Sequence, residues 1–286
     1  MSSLTSHKIC RDTDAPWWEL RISTNSADCY RPHTHDEYSI GIVDAGQAMF
    51  RHAGDTVKTG PGTVVMIGPQ VVHSCNPVEI ERWSYRMLFI RADWLHAAMA
   101  RHWGTSHAVE DLEFLAHCVN ETPVTKAVDL ICTASAETSS YLAAELPRFL
   151  SDWARPVTEA AQLAPAGVLA PAEALLRSDD GLNMSVSALA DSCGMTPTKF
   201  IREFKKSYGM TPGDYLQDKR VNGARRLIAM GTPISEAALE MGFADQAHLQ
   251  RAFKARHAMT PGRYRPSVQI YGIVRGRIPI VGCRMK

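Results

Sequence analysis

One stretch of this chain, Thr198 to Lys205, spaces its side chains in a way that can do chemistry. Phe200 and Phe204 stand four residues apart, on one face of a helix, which leaves Thr198, Ile201, Arg202 and Lys205 on the other faces. Guanidinium and ammonium groups held outward on a helix donate hydrogen bonds to phosphates and to guanine, so the pattern suits a double-stranded polyanion. The distribution of charge agrees with that reading. The 286 residues carry a net charge of only +1, but residues 1–169 hold −7 and residues 170–286 hold +8. A basic second part gains free energy by displacing counterions from phosphates, whereas the acidic first part has no such partner.

The elements that must hold this helix are legible around it. Residues 186–215 and 234–264 align as two copies of one unit: Val186 with Ile234, Ala190 with Ala238, Gly194 with Gly242, Phe204 with Phe253, Lys205 with Lys254 and Tyr215 with Tyr264. The second copy has one extra residue, placed between two helices where a loop absorbs it. Each unit opens with a short apolar helix that stops at a glycine, Gly194 or Gly242, where a positive φ is needed. A second, amphipathic helix follows, in the first unit with Thr196 as N-cap and Pro197 at its first position. Two helices joined by a tight turn, the second carrying exposed cations, make a helix-turn-helix. Met-Thr-Pro occurs at 195–197, 210–212 and 259–261. The first copy launches the reading helix, and the other two follow it at matching places. The helix expected from about Pro212 to Met230 is roughly 28 Å long at ~1.5 Å per residue, enough to set two readers near one DNA turn apart.

The first part of the chain reads differently. From Tyr38 to about Ile90, short β-type runs alternate with Gly, Pro and Asn turns, which predicts a small antiparallel barrel or sandwich. Helices are expected over ADWLHAAMARHW (92–103), VEDLEFLAHCV (109–119) and Glu137 to Trp153, with Pro147 bending or ending the last. The Ala- and Pro-rich stretch 154–170 predicts a linker. The fold class is therefore α+β, with domains at 1–155 and 171–266, a linker at 156–170 and a tail at 267–286. Seven cysteines are scattered singly, as expected of reduced thiols. The N-terminus lacks an apolar leader core, and no apolar run nears the ~18 residues needed to span a bilayer, so a cytoplasmic location is expected.

The residues ISEAALEMGFADQAHLQRAFKARHAMTPGRYR (234–265), with the weaker first copy and the rod between them, resemble the AraC/XylS family of bacterial transcription regulators. The resemblance implies a sequence-specific DNA-binding regulator, not an enzyme, that needs no cofactor. Its base-reading residues would be Thr198, Ile201 and Arg202 in the first unit and Gln246, Ala247, Gln250 and Arg251 in the second. Arg can bridge guanine O6 and N7, and Gln can pair with adenine. Lys199, Lys205 and Lys254 are better suited to phosphates. Arg202 and Arg251 have an alternative use, pairing with acidic groups of their own unit. The resemblance further implies promoter DNA, a small-molecule effector, RNA polymerase and a second copy of the chain as partners.

RPHTHDEYSIGIVDAG and PGTVVMIGPQVVH are similar to the cupin-like effector domain of the same family. That similarity makes His33, His35, Glu37, Tyr38, His73 and Arg86 candidate pocket residues, with Arg86 able to pair with a carboxylate ligand or to stand on a strand's outer face. The three histidines resemble the ligands of metal-binding cupins, so a metal-dependent cupin enzyme fused to a DNA-binding module is the alternative. The glutamate of that pattern is missing at Ser39 and Ile40. Glu37 could substitute for it. The helix at 137–153 has two readings, a dimer contact by analogy or packing on the barrel.

Overall fold

The computed structural model describes residues 5–52, 55–78, 82–105, 107–115, 117–119, 138–157 and 167–265. Its front half is built on a six-stranded antiparallel sheet in the order β1 (Ser6–Arg11), β2 (Trp18–Ser26), β8 (Trp83–Ile90), β3 (Tyr38–Ala45), β6 (Val64–Ile67), β10 (Cys118–Val119). A three-stranded sheet of β5 (Asp55–Thr59), β4 (Ala48–His52) and β7 (His73–Pro77) forms a second layer. The strand expectation for 38–90 is met, and β1 and β2 extend the sheet into residues not assigned from sequence.

Side chains alternate along each strand, so the large sheet has two different faces. One face, with Trp18, Leu20, Tyr38, Ile40, Ile42, Leu88 and Ile90, packs under two helices, α1 (Ala92–Trp103) and α2 (Thr138–Leu150), through Leu95, Met99, Leu142, Leu146 and Leu150. Core packing therefore accounts for the apolar side of α2, while Tyr141 remains exposed. Pro147 lies inside α2 without ending it. The other face, with Arg21, Ser23, Val65, Ile67, Tyr85, Met87 and Phe89, looks toward the small sheet and walls a cavity.

Two expectations are corrected here. The described residues of 109–119 are not helical: β9 (Leu112–Phe114) buries Leu112 and Phe114 with Glu113 exposed between them, a period of two. Its partner is β11 (Ala154–Pro156), so the predicted linker begins as a strand. Residues 158–166 of that linker and the whole 267–286 tail lie outside the described residues.

The second half is helical: α3 (Ala170–Arg177), α4 (Val186–Ser192), α5 (Pro197–Tyr208), α6 (Pro212–Ala229), α7 (Ile234–Glu240), α8 (Gln246–His257) and α9 (Pro261–Tyr264). The turns are as the sequence requires. Gly194 and Gly242 take φ of 62° and 73°, where a Cβ would be strained. All three Met-Thr-Pro segments start a helix, α5, α6 and α9, with Pro in the first turn. The Thr196 and Thr211 hydroxyls accept from the amides of Lys199 and Asp214, which caps α5 and α6. Each helix-turn-helix owns a core: Phe200, Phe204 and Leu189 in the first, Leu249, Phe253 and Phe243 in the second.

Candidate functional site

The two reading helices present one face each to solvent. Thr198, Lys199, Ile201, Arg202 and Lys205 on α5 are exposed, and so are Gln246, Ala247, Gln250, Arg251 and Lys254 on α8. Arg202 meets Glu203 at 3.4 Å with 75% of its side chain exposed, a contact too open to hold the guanidinium away from DNA. No helix among the described residues is long and apolar enough to cross a membrane.

The cavity lies between the halves of the molecule. Counted to its open mouth, with the solvent there included, it spans about 750 Å³. Trp83, Tyr85, Met87, Phe89, Val65 and Ile67 give it an apolar wall from the front sheet. Its other wall comes from the helical half: Arg225 of α6, Arg256 and His257 of α8, and Met259.

The loop from β2 to β3 joins these walls because its side chains alternate. His33 and His35 face the cavity, while Thr34 and Asp36, which alternate with them, face α6. His33 and His73 exchange backbone hydrogen bonds of 3.0 Å, which places His73 beside them. The Thr34 amide and hydroxyl donate to Asp218 Oδ2 at 2.8 and 2.7 Å, and Asn222 Nδ2 donates to the Thr34 carbonyl at 2.9 Å. Arg225 Nη2 reaches both oxygens of Glu37 at 2.7 Å, and Arg226 pairs with Asp36. Asp218, Asn222, Arg225 and Arg226 are four, three and one residues apart, so one polar stripe of α6 grips the front domain.

Burial sets the charge states. It drives His33 and His35 down to about 3 and pulls His73 and His257 well below the usual imidazole range, so these rings are neutral. Each Nδ1 of His33, His35 and His73 is bound to a backbone carbonyl, of Arg31, Glu37 and Val71. Glu19 would be raised by burial, but Arg21, Arg11 and Arg225 together hold it at about 2. The guanidinium groups of Arg11, Arg21, Arg225 and Arg256 pair with the carboxylates of Glu19, Glu37 and Asp218, and the charge of Asp214 also acts on Arg256. Arg21 Nη2, Arg225 Nε and His257 Nε2 are buried with no hydrogen-bond partner. A group that accepts hydrogen bonds is what these nitrogens lack, and a carboxylate accepts most strongly from a guanidinium.

The expected pocket residues are thus divided. His33, His35 and His73 line the cavity. Glu37 does not, because Arg225 takes its carboxylate. Tyr38 points to the opposite face of the sheet, where its hydroxyl donates to Asp111 at 2.7 Å and meets His96 at 2.9 Å. Arg86 is held by Asp44, on the strand position between cavity-facing Tyr85 and Met87. The alternation of strand side chains puts both residues outside the pocket. Among the described residues no group of three or more His, Cys, Asp or Glu side chains is arranged to hold a metal ion. Sequence reasoning missed Arg21, Arg225, Arg256 and His257. For Arg225 a signal existed, a polar stripe at 218, 222 and 225 on a helix that also carries Val221, Ala224 and Ile228.

Comparison with known proteins adds a framework. Residues 19–149 match the AraC-like ligand binding domain, and residues 189–267 match a helix-turn-helix domain. The regulator YbfI of Bacillus subtilis, itself described as uncharacterized, is 25% identical over 76% of this chain and 80% of its own. A Haemophilus influenzae HTH-type regulator is 33% identical over 30% of this chain and 29% of its own. An apo point variant of ToxT from Vibrio cholerae superposes with a TM-score of 0.55 at 14% identity, covering 89% of this chain and 97% of that one, a likeness of fold. ToxT bound to an unsaturated fatty acid superposes with the same TM-score of 0.55 at 16% identity, over 86% and 94% of the two chains.

Proposed function

The chain belongs to the AraC family of transcription regulators, and from that premise we propose that an anionic small molecule in the cavity sets how its two reader helices meet promoter DNA. Regulation of transcription through DNA binding, with an N-terminal ligand-binding domain, is the family's activity. The observation that carries the finer reading is the composition of the cavity wall: the front sheet supplies one side, and α6 and α8 the other. A ligand touching both sides has different affinity for the docked and undocked arrangements, and only such a difference shifts an equilibrium.

The unpartnered Arg21 and Arg225 nitrogens and the apolar wall support an effector with a carboxylate head and an apolar body. The fatty acid bound by ToxT has that chemistry. In this reading Thr198, Ile201, Arg202, Gln246, Ala247, Gln250 and Arg251 contact bases, and Lys199, Lys205 and Lys254 contact phosphates. Their exposure supports it. A second copy of the chain, RNA polymerase and a cytoplasmic location complete the proposal.

The test is thermal unfolding of the whole chain with a panel of fatty and aromatic carboxylates and their neutral amides. A carboxylate at 100 times its dissociation constant stabilises by about 2.7 kcal/mol. The matching amide does not, and the same carboxylate changes the affinity for operator DNA. Stabilisation by amide and acid alike would overturn the anionic assignment.

A further inference from the structure

The cavity wall also carries a histidine and a serine that effector control does not use. His7 of β1 and Ser23 of β2 both line it and stand directly opposite each other in the ladder. His7 Nδ1 is 2.5 Å from Ser23 Oγ, and His7 Nε2 is 3.1 Å from Asp28 Oδ2. Asp28 is fixed in turn: its amide donates to Ser26 Oγ, and Ser26 Oγ donates to Asp28 Oδ2 at 3.1 Å.

In the tautomer with its hydrogen on Nε2, facing Asp28, His7 presents the Nδ1 lone pair to Ser23. The Ser23 hydroxyl therefore donates to Nδ1. This is the arrangement that activates a serine: a hydroxyl on a base, with the base oriented by a carboxylate. Arg21 lies two residues before Ser23 on the same face of β2, with Nη2 buried and unpartnered. A guanidinium N–H there can meet the negative charge that develops on an attacked carbonyl oxygen.

We propose that Ser23 is an activated nucleophile that accepts an acyl group from an ester with an apolar acyl chain entering the cavity. Ser23 Oγ forms the new bond to the acyl carbon while His7 Nδ1 takes the hydroxyl proton. The bond from acyl carbon to the leaving oxygen then breaks, and His7 returns the proton to that oxygen. An ester and a serine become an acyl-serine and an alcohol, with no oxidant or reductant. The inference needs the cavity but not its control of DNA binding.

The experiment treats the whole protein with p-nitrophenyl butyrate, follows nitrophenolate release, and locates the adduct by peptide mass spectrometry. The expected result is a burst of one equivalent per chain with butyryl on Ser23, absent in Ser23→Ala. His7→Gln should slow acylation by about 10²-fold or more, the usual contribution of a general base, and Asp28→Asn should slow it less. Circular dichroism and a cooperative melt check that each variant is folded. If Ser23→Ala does not fold, the adduct map of the unaltered chain and the His7→Gln rate still decide. An unmodified Ser23 in folded protein, or an acylation rate indifferent to His7→Gln, overturns the proposal. The carboxylate melts described above are made on untreated protein, so the effector reading stands or falls separately.

Discussion

The two helix-turn-helix units descend from one pattern, but only the second is wired to the cavity. Aligned through Phe204 and Phe253, Ser207 of α5 corresponds to Arg256 of α8, and Tyr208 to His257. Ser207 is exposed, and Tyr208 turns to Glu173 of the preceding helix α3. Arg256 and His257 are 1% and 6% exposed and form part of the cavity wall. Arg256 Nε sits 3.1 Å from Asp218 Oδ1 of α6, which Thr34 of the front domain also holds. Identical folds can thus carry unequal duties: two substitutions on the inner side of the second reader tie it to the effector domain. The first unit touches that domain through half-buried Val72, an apolar contact without direction.

The largest expected effect is acid release of the second unit. His33 and His35 have folded values near 3, below their usual 6.5, because burial disfavours the charged ring. Their stabilising contribution is present above pH 6.5 and is lost as pH falls from there toward 3. His73 and His257 shift in the same direction. Asp218 acts oppositely: burial raises it from 3.8 to about 6, so its contribution is present below pH 3.8 and is lost as pH rises through 6. The four histidines outweigh one aspartate. Hydrogen exchange between pH 7 and 4.5 should show α8 losing protection before α5, and equal loss in both would break the comparison.

Next in size is Arg225→Ala, which leaves the Glu37 carboxylate unpaired under the rod helix. Removing one partner of a buried pair costs about 3–5 kcal/mol, to be read from denaturant unfolding. Smaller again are the DNA readers. Arg251→Ala should cost about 1–3 kcal/mol at one operator position, whereas Lys254→Ala should weaken all sequences alike and lower the salt slope by about one unit. A stabilising carboxylate should alter the Arg251 footprint more than the Arg202 footprint. The smallest effect sharpens the contrast at the helix ends. Gly209 and Ala258 occupy equivalent left-handed positions with φ of 73° and 54°. Gly209→Ala should destabilise by about 1 kcal/mol and Ala258→Gly should stabilise by a similar amount in thermal melts.

Much of the helical half was legible because its signals are local. Gly194 and Gly242 mark the turns, Thr196-Pro197 caps a helix, and Phe200 and Phe204 announce a buried face. The strand pattern from Tyr38 to Ile90 was equally readable from alternation and turn residues. Residues 109–119 misled, because LEFL offers apolar residues at both helical and strand spacing, and pairing with 154–156 settled the matter. Tyr38 and Arg86 misled for a related reason: a strand's period is visible in sequence, but which of its two faces meets the pocket is not.

By itself, then, the sequence determined the order of elements, the duplicated reader and the basic face of the second half, since each depends on neighbours a few residues away. Tertiary structure alone decided what encloses the cavity. Arg21 and Arg225 lie some two hundred positions apart in the chain, and their convergence around Glu19 depends on the docking of α6 against the loop at Thr34–Glu37. Burial of charge, which shifts the histidines and leaves guanidinium nitrogens without partners, exists only once both halves have closed over the same space.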